Sequence, residues 1–183
     1  MEGALQMIYV YDKNHLLQTE IPFSFVEESV IKESLETGAL TYVLDGVYTE
    51  ETKEKFDFIK NEKYIIVPNF EGSFYEFRIK DTLKDDYKLN VYAENSALEL
   101  SSRFLLPQKQ QLTIREWLTL ALDGERWRPG IVESTAIRTL AIDKPTSKLA
   151  FVNVIRKSVD LDIRFRIEMK GSKVVGRYID LIK

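Results

Sequence analysis

Short apolar strands separated by turn residues fill residues 40–104, and this run restricts the fold more than any other feature. Apolar Tyr75, Phe77 and Ile79 alternate with charged Glu76, Arg78 and Lys80. This alternation with a period of two predicts a strand with one buried and one solvent-exposed face. Further strands are predicted at Leu40–Leu44, Tyr64–Val67, Phe74–Ile79 and Lys88–Ala93. The pattern therefore favours an antiparallel sheet, with a hairpin turn at Asp85-Asp86.

Asp45-Gly46 follows the first of these strands and allows two interpretations. It has the composition of a two-residue hairpin turn. No second strand develops after it, however, so we interpret the pair as the end of a strand. A charged helix is predicted from about Glu50 to Lys60, with Phe56 and Ile59 as its apolar stripe.

The first residues predict a hairpin, Met7–Tyr11 and Leu16–Ile21, joined by a turn at Asp12–Asn14. The spacing in Val26–Leu35 fits either a short helix or an edge strand. After Ser96 the pattern turns helical, and Pro107–Gln111 is a polar break. We expect a domain boundary there, giving domains of residues 1–108 and 109–183.

The second domain begins with Thr113, a predicted N-cap that forms a capping box with Glu116. The apolar face of that helix comprises Ile114, Trp117, Leu118, Ala121 and Leu122, and Gly124 ends it. A strand at Thr139–Ile142 precedes a helix capped by Pro145–Ser147, whose predicted buried face is Leu149, Val152, Ile155 and Val159. An alternating strand, Asp160–Glu168, turns at Gly171-Ser172 into a hairpin partner at Lys173–Tyr178. The predicted fold class is α+β and β-rich, a barrel-like antiparallel sheet domain with a second small α+β domain.

The residue inventory argues against most catalytic and metal sites. The chain has no Cys, which excludes disulfides and thiolate chemistry, and its single His15 is expected to be a solvated turn residue. No phosphate-binding loop, nucleophile elbow or zinc-protease motif is present. Asp160 and Asp162 are expected to share a strand face, but a hard cation needs more oxygens. We therefore expect no catalytic, cofactor-binding or metal-binding residue, no cofactor and no membrane span.

Two other groups of residues invite a binding interpretation. Arg164, Arg166, Lys170, Lys173 and Arg177 cluster around the last hairpin, but Asp162 dilutes their charge and aromatic partners are few. We therefore expect no sequence-specific nucleic-acid binding. Trp117 and Trp127 could form a sugar platform, although core packing is the better interpretation of Trp117.

Charge is distributed unevenly along the chain. Residues 1–110 carry 20 acidic and 12 basic side chains, whereas residues 111–183 carry 9 acidic and 14 basic. The resulting balances of -8 and +5 suggest attraction between the halves or between adjacent copies, with two functionless solvated surfaces as the alternative.

Several segments together resemble a known family of phage proteins. They are Met7–Asp12, Leu40–Gly46, Ile59–Ile66, Phe77–Lys80, Val91–Glu94 with Leu98, a helix ending near Gly124, then Trp127 and Arg138–Leu140. In these segments the chain resembles the N-terminal region of the prophage tail endopeptidase, or tail-associated lysin, family, which is similar to phage baseplate hubs. After Ala93-Glu94 the family tends to show a His and an aromatic residue, whereas this chain has Asn95-Ser96.

This resemblance implies a structural protein at the virion tail tip. The family forms rings of three copies whose barrel-like domains line a channel for DNA, and it contacts other tail proteins. A variable C-terminal region often carries cell-wall-degrading activity, so we expect further domains after residue 183 but no enzyme activity in this fragment. An acidic first unit would suit a channel through which DNA slides, because like charges suppress phosphate contacts.

Two other functions remain open at this point. One is a tail lysin, a peptidoglycan peptidase or glycosidase, which requires a deep pocket with a carboxylate pair of perturbed pKa. The other is a carbohydrate-binding module, which requires exposed coplanar aromatic rings.

Overall fold

The computed structural model describes residues 7–33, 40–68 and 73–183, which form two compact units. The first comprises the described residues up to Ser96 together with Met169–Lys173. The second comprises Ala97–Glu168 and Val174–Lys183. The division into domains of residues 1–108 and 109–183 stays a prediction.

The first unit is built on one antiparallel sheet. Its strands follow the order β2–β1–β5–β6–β7–β4–β3. Their bounds are β1 Met7–Tyr11, β2 Leu17–Pro22, β3 Val26–Glu33, β4 Leu40–Val47, β5 Tyr64–Pro68, β6 Phe74–Lys84 and β7 Lys88–Asn95. Helix α1, Lys53–Phe56, lies between β4 and β5 in the sequence, and a 3-10 turn at Phe23–Phe25 precedes β3.

The predicted alternation largely holds. Phe77 and Ile79 are fully buried, as are Tyr42 and Leu44 on β4. They belong to a single apolar cluster with side chains from β1, β2, β5 and β7. Glu76 was predicted to lie on the solvent-exposed face of the strand, but it is 0% exposed. The hairpin β1–β2 and the turn at Asp85-Asp86 are confirmed, and the ambiguous segment from Val26 is strand β3 over its described residues.

The sheet of the first unit curls around its core. In a flat sheet β2 and β4 would lie five strand spacings apart, about 24 Å. The four-residue helix α1 is only roughly 6 Å long. Nevertheless Lys55 Nζ donates to the Glu20 carbonyl of β2 at 2.9 Å, while the Phe56 ring packs against Gly46 of β4. The sheet is therefore rolled, but among the described strands no ladder joins β2 to β3, so the predicted barrel is not closed.

Two predictions around β4 are wrong. Asp45-Gly46 does not end the strand, since both residues pair with β3 and β7 inside it. The expected helix from Glu50 to Lys60 is only Lys53–Phe56, flanked by turns. Its apolar stripe is correct, with Phe56 and Ile59 both buried. A Cβ on residue 46 would lie 2.6 Å from Phe56 Cζ, so the glycine marks where the ring meets the strand rather than a turn.

The second unit combines two capped helices with short ladders. Its elements are β8 Phe104–Leu105, β9 Gln108–Thr113, α2 Ile114–Ala121, β10 Arg128–Val132, β11 Ile137–Ile142, β12 Thr146–Ser147, α3 Lys148–Lys157, β13 Asp162–Lys170 and β14 Lys173–Ile182. β8 pairs with β12 and β9 with β11, both antiparallel, and β10 runs parallel to β14, which neighbours β13. A 3-10 helix, Ser96–Ser102, precedes β8.

The helix predictions for this unit are confirmed. Thr113 Oγ1 accepts from Glu116 N at 3.2 Å, and Glu116 Oε2 accepts from Thr113 N at 2.8 Å, which completes the capping box. All five predicted apolar residues of α2 are buried. Ser147 caps α3, but this helix ends at Lys157, before the half-buried Val159. The polar break at Pro107–Gln111 is wrong in part, because Gln108 begins β9.

Candidate assembly surfaces and the buried carboxylate

A buried carboxylate, Asp180 on β14, organises the sheet of the second unit. It is 0% exposed. Its Oδ2 accepts from Arg166 Nε at 2.9 Å and lies 3.1 Å from an Arg164 guanidinium nitrogen, while its Oδ1 accepts from Ile131 N at 2.8 Å. One carboxylate therefore connects all three strands of the β10–β14–β13 sheet. The hydrogen bond to Asp180 raises the pKa of Arg166 above its usual value.

Gly130 makes room for this carboxylate on β10. A Cβ at that position would overlap Asp180 Oδ1. Glycine in a strand interior commonly marks the close approach of another group. Gly130 was therefore the sequence signal for a buried partner beside β10, but the signal does not say which of the 29 carboxylates approaches.

The basic cluster of the last hairpin is accounted for in part by Asp180. Arg164 and Arg166 both pair with this carboxylate, whereas Asp162, which was expected to dilute their charge, has a side chain that is 84% exposed and lies 3.8 Å from Arg156. Arg166 also lies over the Tyr178 ring, 4.7 Å from its centroid. Phe165, between these two arginines in the sequence, is buried. These two arginines thus serve the fold of the second unit.

Both tryptophans are core residues. Trp117 is fully buried, and its Nε1 donates to the Arg138 carbonyl at 3.0 Å. Trp127 is 1% exposed and donates from Nε1 to Glu99 Oε1 at 3.1 Å. The same oxygen accepts from Arg126 Nε at 2.6 Å. A sugar platform needs an exposed ring face, so neither tryptophan provides one.

His15 is not the solvated residue that the sequence suggested. Its ring packs on Tyr64 with centroids 4.3 Å apart, and Nδ1 lies 3.8 Å from Oε2 of buried Glu76. The residue does occupy a turn, with a left-handed φ of 59°. His15 therefore holds the β1–β2 turn against β5 and β6.

The carboxyl groups with a shifted pKa do not resemble catalytic acids. Hydrogen bonds from the Leu16 amide, Lys84, the Tyr87 amide and Thr113 lower the pKa values of Asp12, Asp57, Asp85 and Glu116, respectively. A general acid at neutral pH requires a raised pKa. Asp160, with φ 53°, lies outside β13, so it does not share a strand face with Asp162 as predicted. In the described parts of the chain, His, Asp and Glu form no group of three that could hold a metal ion.

Among the described residues, one exposed apolar feature on each unit stands out. The second unit has a groove of about 620 Å³, which we call the leucine groove. Its apolar lining is Phe104, Leu105, Leu106, Leu112 and Leu120, and Phe104 and Leu106 are 60% and 73% exposed. The first unit exposes Leu83 (70%) and Tyr87 (77%) on the β6–β7 hairpin. We call residues 81–88 the hairpin tip. Exposed apolar groups gathered at one place often mark a protein contact.

No described helix is sufficiently long and apolar to cross a membrane. No protein-family model matches the chain, and no curated protein matches it by sequence. The fold resembles the crystal structure of the prophage tail protein gp18 from Listeria monocytogenes EGD-e, with a TM-score of 0.60 and 12% sequence identity. This likeness covers 96% of the chain, which spans about half (50%) of the gp18 chain. The architecture is therefore shared with a prophage tail protein.

Proposed function

We propose that this chain is a structural component of a phage or prophage tail. The observation that carries the proposal is the likeness of fold to gp18, because it extends over 96% of the chain and includes both units. The described contacts fit a structural role, since the polar groups around Asp180 and Glu99 connect elements of the fold.

The finer form of the proposal is a baseplate hub at the tail tip. Three copies form a ring around the DNA channel, and the chain contacts other tail proteins. The acidic first unit faces the channel, where like charge prevents DNA from sticking. In the complete protein the two predicted domains, residues 1–108 and 109–183, are followed by further domains. A ring whose channel surface is dominated by basic residues would contradict this arrangement.

Antibody labelling of assembled tails tests the proposed function. An antibody raised against this chain should label tails produced by the encoding phage or prophage, at the tip and not along the tube. Tails that are complete in electron micrographs but never labelled would overturn the structural role. Labelling elsewhere on the tail would leave the role standing and overturn only the tip location.

The lysin alternative has a separate test. Incubation of the pure protein with cell walls should release no soluble peptide or sugar above a heat-denatured control. Product release would favour a hydrolase. Asp12, Asp57, Asp85 and Glu116 all have lowered pKa values, whereas a glycosidase acid needs a raised one, so none of these four is a candidate for that acid.

A further inference from the structure

His15 is the single histidine of the chain and lies in the turn between β1 and β2. Histidine is the side chain whose ordinary pKa, about 6.5, places its change of charge near neutral pH. The turn belongs to the edge of the sheet, since among the described strands β2 pairs only with β1. The register also shifts between Val10 and Tyr11, just before the turn. A change of charge on His15 therefore acts where the sheet supports the hairpin from one side only.

The His15 ring packs on one face of β1, β5 and β6. The register of these strands places two rows of side chains on that face, Tyr11–Tyr64–Arg78 and Tyr9–Ile66–Glu76. His15 stacks on Tyr64 of the first row, and its Nδ1 lies 3.8 Å from Glu76 Oε2 in the second. The histidine side chain is 27% exposed, whereas that of Glu76 is 0% exposed. One half-buried imidazole therefore connects the turn to a buried carboxylate on β6.

Two carboxylates face His15, one from its own turn and one from the sheet. Hydrogen bonds from the Leu16 and Asn14 amides lower the pKa of Asp12, and the charges of Lys63 and His15 lower it further. Asp12 and a protonated His15 therefore attract each other. Glu76 is the less screened of the two carboxylates, because it is fully buried and charges interact more strongly away from water.

The cations near this face oppose protonation of His15 only weakly. Arg78 pairs with Glu62, which offsets its charge. Lys63, next to β5, is itself destabilised as a cation, because burial and then the charge of Lys60 lower its pKa. On the two turns that meet this face, Lys13 and Lys173 are exposed, so solvent and salt screen their charges. The carboxylates therefore outweigh the cations, and the charged form of His15 is favoured.

We propose that His15 is a pH-sensitive clasp, which in its protonated form fastens the β1–β2 turn to β5 and β6 and loosens when the proton is lost. Protonation places a positive charge opposite the buried Glu76 carboxylate. The neutral ring keeps its stacking on Tyr64 but loses this attraction. The clasp goes beyond the proposed tail function and does not depend on it.

The direction of the pH dependence follows from the pairing. A histidine that gains a carboxylate partner on folding has a raised pKa in the folded protein. Its contribution to the free energy of unfolding is therefore complete below about pH 6.5 and is lost as the pH rises through the raised pKa. The turn is held most firmly on the acidic side of neutrality.

Titration of the His15 ring by nuclear magnetic resonance tests the pairing, because protein without a histidine tag gives one ring signal. The midpoint in the folded protein should lie at least about half a pH unit above 6.5. Glu76→Gln should lower the midpoint by a similar amount, whereas Glu28→Gln, at an exposed carboxylate on β3, should leave it unchanged. A midpoint at or below 6.5, or one that Glu76→Gln does not lower, would overturn the pairing.

His15→Asn tests whether protonation fastens the turn. Asparagine tolerates the left-handed φ of 59° at this position, so the variant can keep the backbone of the turn. The unfolding constant of His15→Asn divided by that of wild type should be larger at pH 5 than at pH 8, by about threefold for each half unit of raised midpoint. Chemical denaturation followed by circular dichroism measures both constants.

The other titrating groups are common to the two proteins, so their effects cancel in this ratio. A ratio that is equal at the two pH values, or larger at pH 8, would show that His15 does not act as a clasp. If Glu76→Gln does not fold, the midpoint of wild type and the His15→Asn ratio still decide between the outcomes. None of these measurements bears on antibody labelling of tails.

Discussion

The two units stabilise their sheets by different means. The first unit curls one antiparallel sheet around a continuous apolar cluster, and α1 packs against β4 through Phe56. The second unit also connects its elements through polar groups, with Asp180 between three strands and Glu99 accepting hydrogen bonds from Trp127 and Arg126. A rolled sheet with a continuous apolar cluster can rely on apolar burial, whereas the three strands around Asp180 are also held in place by directional bonds.

This difference predicts that the second unit is the more sensitive to loss of one charge. Asp180→Ala should lower the free energy of unfolding by about 3–5 kcal/mol, because two arginines and the Ile131 amide lose a buried partner. Chemical denaturation followed by tryptophan fluorescence measures it, since both tryptophans lie in this unit.

Asp162→Ala is the control, an aspartate on the neighbouring strand whose side chain is 84% exposed. It should have little effect, as expected for surface ion pairs. If Asp180→Ala and Asp162→Ala lower the free energy of unfolding equally, Asp180 does not organise the second unit.

The first unit should instead be most sensitive to loss of apolar volume. Phe56→Ala should cost about 3–5 kcal/mol, as for other buried phenylalanines, because it empties the space between α1 and β4. Phe58→Ala, two residues away and 37% exposed, should cost much less. Circular dichroism during chemical denaturation measures the loss of free energy of unfolding. Similar losses for Phe56→Ala and Phe58→Ala would contradict the role of Phe56 in the curled sheet.

A smaller effect is expected at the start of α2. Thr113→Ala removes the cap and should cost about 1 kcal/mol. Thr119→Ala in the same helix is the control. The Thr119 hydroxyl donates only to the Arg115 carbonyl within the helix and satisfies no unpaired amide at the helix start. Thermal unfolding compares the two, and a larger loss at Thr119 would overturn the assignment of the cap.

The smallest expected effect is a pH dependence of the same cap. The hydrogen bonds from Thr113 lower the pKa of Glu116 below its usual 4.5. The contribution of the ionised Glu116 carboxylate to the free energy of unfolding is therefore complete above pH 4.5. It is lost as the pH falls through the lowered pKa of Glu116. The stability difference between wild type and Glu116→Gln should accordingly shrink with falling pH. A difference that grows on acidification would contradict the capping geometry.

Much of the local structure follows from local sequence. The capping box of α2, the buried face of that helix and the first hairpin were predicted correctly, because each depends on residues close together in the chain. The Asp45-Gly46 prediction failed since the glycine is selected by the distant Phe56 ring rather than by a turn. Glu76 and His15 were misassigned for the same kind of reason, because they meet only when β1, β5 and β6 assemble.

The sequence by itself determined where most strands and the two helices of the second unit form, most of their apolar faces and where charge accumulates along the chain. Periodicity, capping and composition act over a few residues, so these features need no knowledge of the fold. Only the tertiary structure decided that the first sheet rolls without closing and that Asp180 is the partner of Arg164, Arg166 and Ile131. The bond between Ile131 and Asp180 spans 49 residues. Such a pairing depends on strand order and register, which local patterns do not encode.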